Sequence, residues 1–200
     1  MAEQQTILTT SVLDFLKVST EFCRYLESDD MGMAADEAAD GQTDSRGYAD
    51  GHSYDETDED NARRHAFCRV MLTLLPMVYL KTQLLPYPSE APAGFNEPAV
   101  TEDDYNFIRQ RVCTMMGDRD DFLDTFVEDF KYSEAPILCT VSECLADIYQ
   151  CLRDMVEVCR HGHDEAMEVA IYEAQTEFRL SWGQKLLNAL RAIHDAQYGA

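Results

Sequence analysis

Between Val141 and His194, apolar residues recur three and four positions apart almost without a break, the spacing that gathers them on one side of an α-helix. Val141, Leu145, Ile148, Leu152, Met155 and Cys159 form one stripe. Met167, Ile171, Ala174, Phe178, Trp182, Leu186, Ala189 and Ile193 form the next, and only His161-Gly162-His163 separates them. The pattern predicts two long helices, one starting near Thr140 or Ser142 and one running from Asp164 to about His194.

Upstream the same period returns in shorter pieces. Val12, Phe15, Leu16, Ser19, Phe22, Cys23 and Leu26 predict a first helix to about Glu27, with Thr9, Thr10 and Ser11 as candidate N-caps. Phe67, Val70, Met71, Leu74, Val78, Tyr79 and Leu85 predict a second over about Asn61 to Leu85, kinked or split at Pro76. Pro86, Pro88, Pro92, Gly94 and Pro98 make residues 86–100 an irregular connection. Thr101 and Asp104 then resemble a capping box opening a third helix, whose apolar residues are Phe107, Ile108, Val112, Cys113, Met115 and Met116 and which Gly117 ends. Asp118 to Lys131 reads as a short fourth helix, with Phe122, Phe126, Val127 and Phe130 inward and three aspartates in its first turn. Nothing alternates like a strand. The expected fold is all-α, a single helical bundle of about six helices spanning residues 1–200.

Residues 28–60 depart from that pattern. From Glu27 to Asp60 there are 13 acidic residues, one basic residue (Arg46) and no Leu, Ile, Val, Phe or Trp. With so little to bury, the segment reads as a long disordered acidic insertion. Asp40, Gln42 and Asp44 approximate the first ligands of a calcium loop, but its central Gly and terminal Glu are missing.

The whole chain carries 38 acidic against 16 basic side chains, a net charge of −22. Such a surface repels phosphate backbones and anionic lipids, so direct nucleic-acid and membrane binding are not expected, and a basic protein is the partner its sign favours. The same charge also serves plain solubility. The seven cysteines are odd in number and form no Cys-x-x-Cys pair, so they read as buried thiols. No basic leader precedes the first helix, and the longest apolar stretch, Val70 to Leu80, is interrupted and far short of the ~18–20 residues of a membrane span. The expected location is the cytoplasm.

Candidate chemistry concentrates on the last two helices. Glu143, Asp147, Asp154 and Glu157 fall near one line, and the facing helix supplies Glu165, Glu168, Glu173 and Glu177. Carboxylates on facing bundle helices build metal sites, and Asp147, Asp154, Glu173 and Glu177 form a weak candidate set for magnesium and phosphate hydrolysis. The paired Glu-x-x-His or Glu-x-x-Glu/Asp motifs of those sites are incomplete, so no metal or cofactor is the first expectation. His161, His163 and Asp164 suit either a transition metal or, more simply, a helix end followed by an N-cap. Arg179, Lys185 and Arg191 are three of the five basic residues after Lys131 and form a patch for an anion or for the acidic stripe. Asp147, Glu173, Glu177, Arg179, Trp182 and Lys185 are the candidate ligand-binding residues. Gly183 in mid-helix costs ~1 kcal/mol relative to Ala, which predicts a close helix approach there. No nucleophile elbow, phosphate loop or Cys/His pairing is present.

The strings Leu74-Leu-Pro-Met-Val-Tyr-Leu-Lys-Thr-Gln-Leu-Leu-Pro86, Ser142-Glu-Cys-Leu-Ala-Asp-Ile-Tyr149 and Trp182-Gly-Gln-Lys-Leu-Leu-Asn-Ala-Leu-Arg191, with Val12 to Glu27, resemble a family of acidic bacterial proteins of Bacteroidetes type, a domain of unknown function. The resemblance covers most of the chain outside the acidic stretch. It implies an all-helical cytoplasmic protein and assigns no activity, substrate or cofactor. The functional expectation is therefore a non-enzymatic interaction or accessory protein whose acidic surface meets a basic partner, for example an enzyme of nucleic acids toward which it imitates DNA. A magnesium-dependent phosphohydrolase and a small-ligand-binding bundle are the alternatives.

Overall fold

The structure is a computed structural model that describes residues 8–33, 56–124 and 136–199. Helix α1 (Thr10–Glu27) starts where the Thr9 side chain accepts a hydrogen bond from the Val12 N–H. Helix α2 (Glu56–Gln83) runs through Pro76 without splitting, although that residue lacks the N–H that would bond the Leu72 carbonyl. Helix α3 (Glu102–Met116) opens on the capping box expected from Thr101 and Asp104 and closes at Gly117, whose φ of 57° suits a residue without a Cβ.

The predicted fourth helix is overturned across residues 118–124. A 3₁₀ turn (Gly117–Arg119) leads into strand β1 (Asp121–Asp124), which pairs antiparallel with β2 (Ile137–Thr140), Asp121 opposite Thr140 and Asp124 opposite Ile137. The physical reason is Asp120. Its carboxylate is buried and accepts from the Ser142 N–H at 2.8 Å and the Ser142 hydroxyl at 2.6 Å, while its carbonyl accepts from the Val141 N–H. An aspartate that reads as a first-turn charge of its own helix instead bonds the first turn of a helix 22 residues away, beside that helix's own cap Thr140, and this tertiary demand overrides local propensity. Phe126, Val127 and Phe130 lie outside the described residues, as does most of the acidic insertion. On its near margin, Met31 is buried and Gly32 N–H bonds the Tyr25 hydroxyl.

Helix α4 (Val141–His161) is the central element, packed by α1, by α3 and by the last two helical segments. Its wide buried face, from Val141 through Leu145, Ile148 and Leu152 to Met155, reflects neighbours on several sides. Gly162 ends it in the left-handed region (φ 69°). Helix α5 (Asp164–Glu177) then passes through a π-helical turn (Phe178–Trp182) into α6 (Gly183–Tyr198) without leaving helical backbone angles. The predicted sixth helix is thus one rod with a widened turn, and α2 packs along its second half. All eight apolar residues predicted inward on that rod are buried. Phe107 of α3 is not: it is 55% exposed, with the Arg111 guanidinium over its ring. Among the described residues, no helix is long and apolar enough to cross a membrane.

Candidate functional site

Gly183 sits where the π turn closes. A Cβ there would lie 2.4 Å from the Phe178 carbonyl oxygen, so glycine is required by the widened turn of its own helix and not by the approach of another. The turn places Trp182 inside: its indole N–H donates to the Ala174 carbonyl at 3.0 Å and its ring meets Phe178 edge-on at 4.7 Å. One side of Trp182 forms the floor of a cleft of about 490 Å³ between α4, α5, the π turn and the loop ahead of α3.

That cleft collects the carboxylates singled out from the sequence. Asp147 and Asp154 of α4, seven residues and so almost two turns apart, share a wall. Glu173 and Glu177 of α5 form the opposite wall, and Lys185 stands at one end. Between them the floor is apolar, built from Met155, Val158, Ala170, Ala174 and Trp182.

The carboxylates are not equivalent. Asp147 is engaged on both oxygens, accepting from the Tyr105 hydroxyl at 3.0 Å and from Lys185. Burial first, and then the Asp147 charge, raise the Tyr105 hydroxyl above tyrosine's ordinary range, which keeps it a donor. Asp154 accepts the backbone N–H groups of Ala99 and Val100 at 2.7 and 2.8 Å, fastening the proline-rich loop so that Asn96, Glu97 and Pro98 make a third wall. Glu173 is raised above the ordinary glutamate value by burial, with a hydrogen bond from Asn96 working against the shift. Glu97, Glu173 and Glu177 form no ion pair among the described residues. At the floor, burial first and then Glu177 and Asp154 push the Cys151 thiol up to about 12, so it is no nucleophile at neutral pH. Among the described residues, no three His, Cys, Asp or Glu side chains are placed to hold a metal ion.

Residues 54–199 match the family described as a domain of unknown function (DUF5063). The chain belongs to that family. Its fold is also similar to the crystal structure of protein BF1032 from Bacteroides fragilis, with 30% identity, a TM-score of 0.72 and 98% of each chain covered. No curated protein matches the chain.

Within this family fold the predicted basic patch does not assemble. Arg179 leaves the cleft and lies over the Tyr87 ring, 3.5 Å from its centroid, while Arg191 lines a separate cleft beside Asp118 and Asp124. Six residues turn a side chain through about 240° on a regular helix and about 140° where the π turn absorbs one of them, so Arg179, Lys185 and Arg191 point in different directions. His161 is exposed, with Nδ1 against the Glu157 carbonyl at 2.9 Å, as a helix-end residue. Sequence reasoning misses Tyr105, Asn96 and Glu97, which reach the site from elements far away in the chain. The capping box fixes the start of α3 and hence Tyr105, but no local signal points that tyrosine at Asp147.

Proposed function

We propose that this is a non-enzymatic binding protein whose α4–α5 cleft receives the cationic side chain of a basic protein partner. The observation that carries the reading is the imbalance inside the cleft: five carboxylates, one ammonium, and that ammonium already spent on Asp147. Glu97, Glu173 and Glu177 supply the free negative charge, and the apolar floor suits the aliphatic stem of a lysine or arginine. A basic partner would be drawn by the net charge of −22 and seated by the cleft.

Trp182 is the single tryptophan of the chain and lines the cleft, so its emission reports occupancy directly. Titration with a lysine-rich peptide at low salt is expected to shift that emission. Affinity should fall steeply as salt rises, because the Debye length shrinks from ~30 Å at 0.01 M to ~10 Å at 0.1 M. The Glu173→Gln/Glu177→Gln double variant should bind at least about tenfold more weakly, a loss of about 1.4 kcal/mol. Salt-insensitive binding, or a double variant that binds as tightly as the parent, overturns the reading.

A further inference from the structure

Asn61 to Ser89 contain no Asp or Glu, whereas the chain carries 38 in 200 residues. Most of this acid-free run is α2. Along the second half of that helix and the turn that follows it, the exposed positions through residue 84 are Thr73, Pro76, Met77, Leu80, Gln83 and Leu84, none of them charged. Met77, Leu80 and Leu84 lie three and four residues apart on one face and are 45%, 55% and 56% exposed. Leu84 N–H still bonds the Leu80 carbonyl, so the stripe continues helically past Gln83. Two polar groups beside it are already engaged: the Thr73 hydroxyl donates to the Arg69 carbonyl, and Lys81 on the flank is held by Asp14 of α1 at 2.7 Å.

We infer that this face of α2 is a self-association surface, where a second copy of the chain docks its own Met77–Leu80–Leu84 stripe antiparallel across a two-fold axis. Charge selects the occupant. Two bodies of −22 repel each other over most of their surfaces, and burying a carboxylate in a contact carries a desolvation cost. A stripe of uncharged α2 residues lets two copies meet without burying a carboxylate and with the least of the repulsion, and a two-fold axis brings each apolar residue against the same stripe. A basic protein gains nothing here, because the charge that attracts it lies elsewhere. The stripe spans roughly 10 Å, so the pair is expected to be weak and concentration-dependent.

Sedimentation velocity on the full chain over a range of concentrations tests this. The expected result is a monomer–dimer equilibrium between one and two chains of 22.8 kDa, with a dimer fraction that rises as salt screens the repulsion. That salt dependence is opposite in sign to the one expected for a basic peptide in the cleft, so the two readings fail separately. Leu80→Glu should give monomer at every concentration with an unchanged circular-dichroism melt. Leu138→Glu, on a leucine of β2 at least as exposed as Leu80, should leave the dimer intact. Met77→Lys gives a second reading should Leu80→Glu lower the melt. A single 22.8 kDa species at all concentrations and salts overturns the inference, and so does a dimer that survives both stripe variants or dissolves equally with Leu138→Glu.

Discussion

Lys185 at the start of α6 pairs with Asp147 of α4, and among the described residues this is the one ion pair that ties those two helices together. The Tyr105 hydroxyl of α3 meets the same carboxylate, so a single side chain organises three helices at the mouth of the cleft. Asp147→Ala should cost about 1–2 kcal/mol in denaturant unfolding, chiefly through the stranded, part-buried Tyr105 hydroxyl. The Coulombic share is small, since Lys185 is 42% exposed and such pairs contribute ~0–1 kcal/mol. Asp147→Asn keeps an acceptor for Tyr105 and should lose less than half as much. Equal losses would show that the tyrosine contributes nothing.

Asp120, itself 5% exposed, adds a tertiary cap to the central helix beside its local cap Thr140, whose side chain accepts from the Glu143 N–H at 3.1 Å. Replacement of Asp120 by alanine strands the Ser142 N–H and takes from the Ser142 hydroxyl its 2.6 Å partner, leaving the Thr140 oxygen at 3.2 Å, and should cost about 2–3 kcal/mol. Ser142→Ala, which removes only the hydroxyl, should cost about 1 kcal/mol. Chemical denaturation of the two variants separates these cases; an Asp120→Ala loss no larger than that of Ser142→Ala would count against the capping role.

An exposed glycine inside a helix normally gains about 1 kcal/mol on replacement by alanine. Gly183→Ala should do the reverse, losing about 1–3 kcal/mol, because its Cβ would meet backbone that cannot move aside cheaply. Thermal melts of the variant decide the sign.

Glu173 titrates with a value raised above that of an unfolded glutamate, so the folded state holds its proton more tightly. Its charge therefore opposes folding in full above the raised value, and that penalty fades as the pH falls through the raised value and is gone below the ordinary glutamate value. Glu173→Gln should be at least as stable as the parent at neutral pH and lose that advantage on acidification. Melts across this range test it. A variant less stable than the parent at neutral pH would mean that the Asn96 contact outweighs burial.

The cleft is partly readable from the chain because its charged walls come from two sequence-adjacent helices. Residues 147 and 154, or 173 and 177, must share a face on any regular helix, and consecutive antiparallel helices must meet. Tyr105, Asn96 and Glu97 obey no such rule, since they arrive through α3 and a loop pinned by Asp154 and by the Asn96 bond to the Ala166 carbonyl. The two-stranded sheet escapes for a similar reason: each strand has four residues, too short for alternation to register, and Asp120 ties it to the central helix from outside. The basic triad misleads because proximity in sequence is not proximity of direction on a helix. Arg179 finds Tyr87, and only Lys185 reaches the acidic wall.

The π turn has a consequence for the phase of the helix that follows it. Ala174, Phe178, Trp182 and Leu186 are all buried, yet three successive steps of four residues would carry a side chain about 120° around a regular α-helix. The widened turn absorbs one residue and brings the discrepancy down to about 20°, so that Leu186, Ala189 and Ile193 still face inward. Residues 178–182 thus act as one residue of slack in an otherwise regular rod. Removing one exposed residue there, such as Leu180, would restore an ordinary α-helix with α6 still in register, while the seat of Trp182 and the floor of the cleft would change. In that shortened chain Gly183 would face no crowded carbonyl, and alanine at the same position would turn from a lesion into a gain.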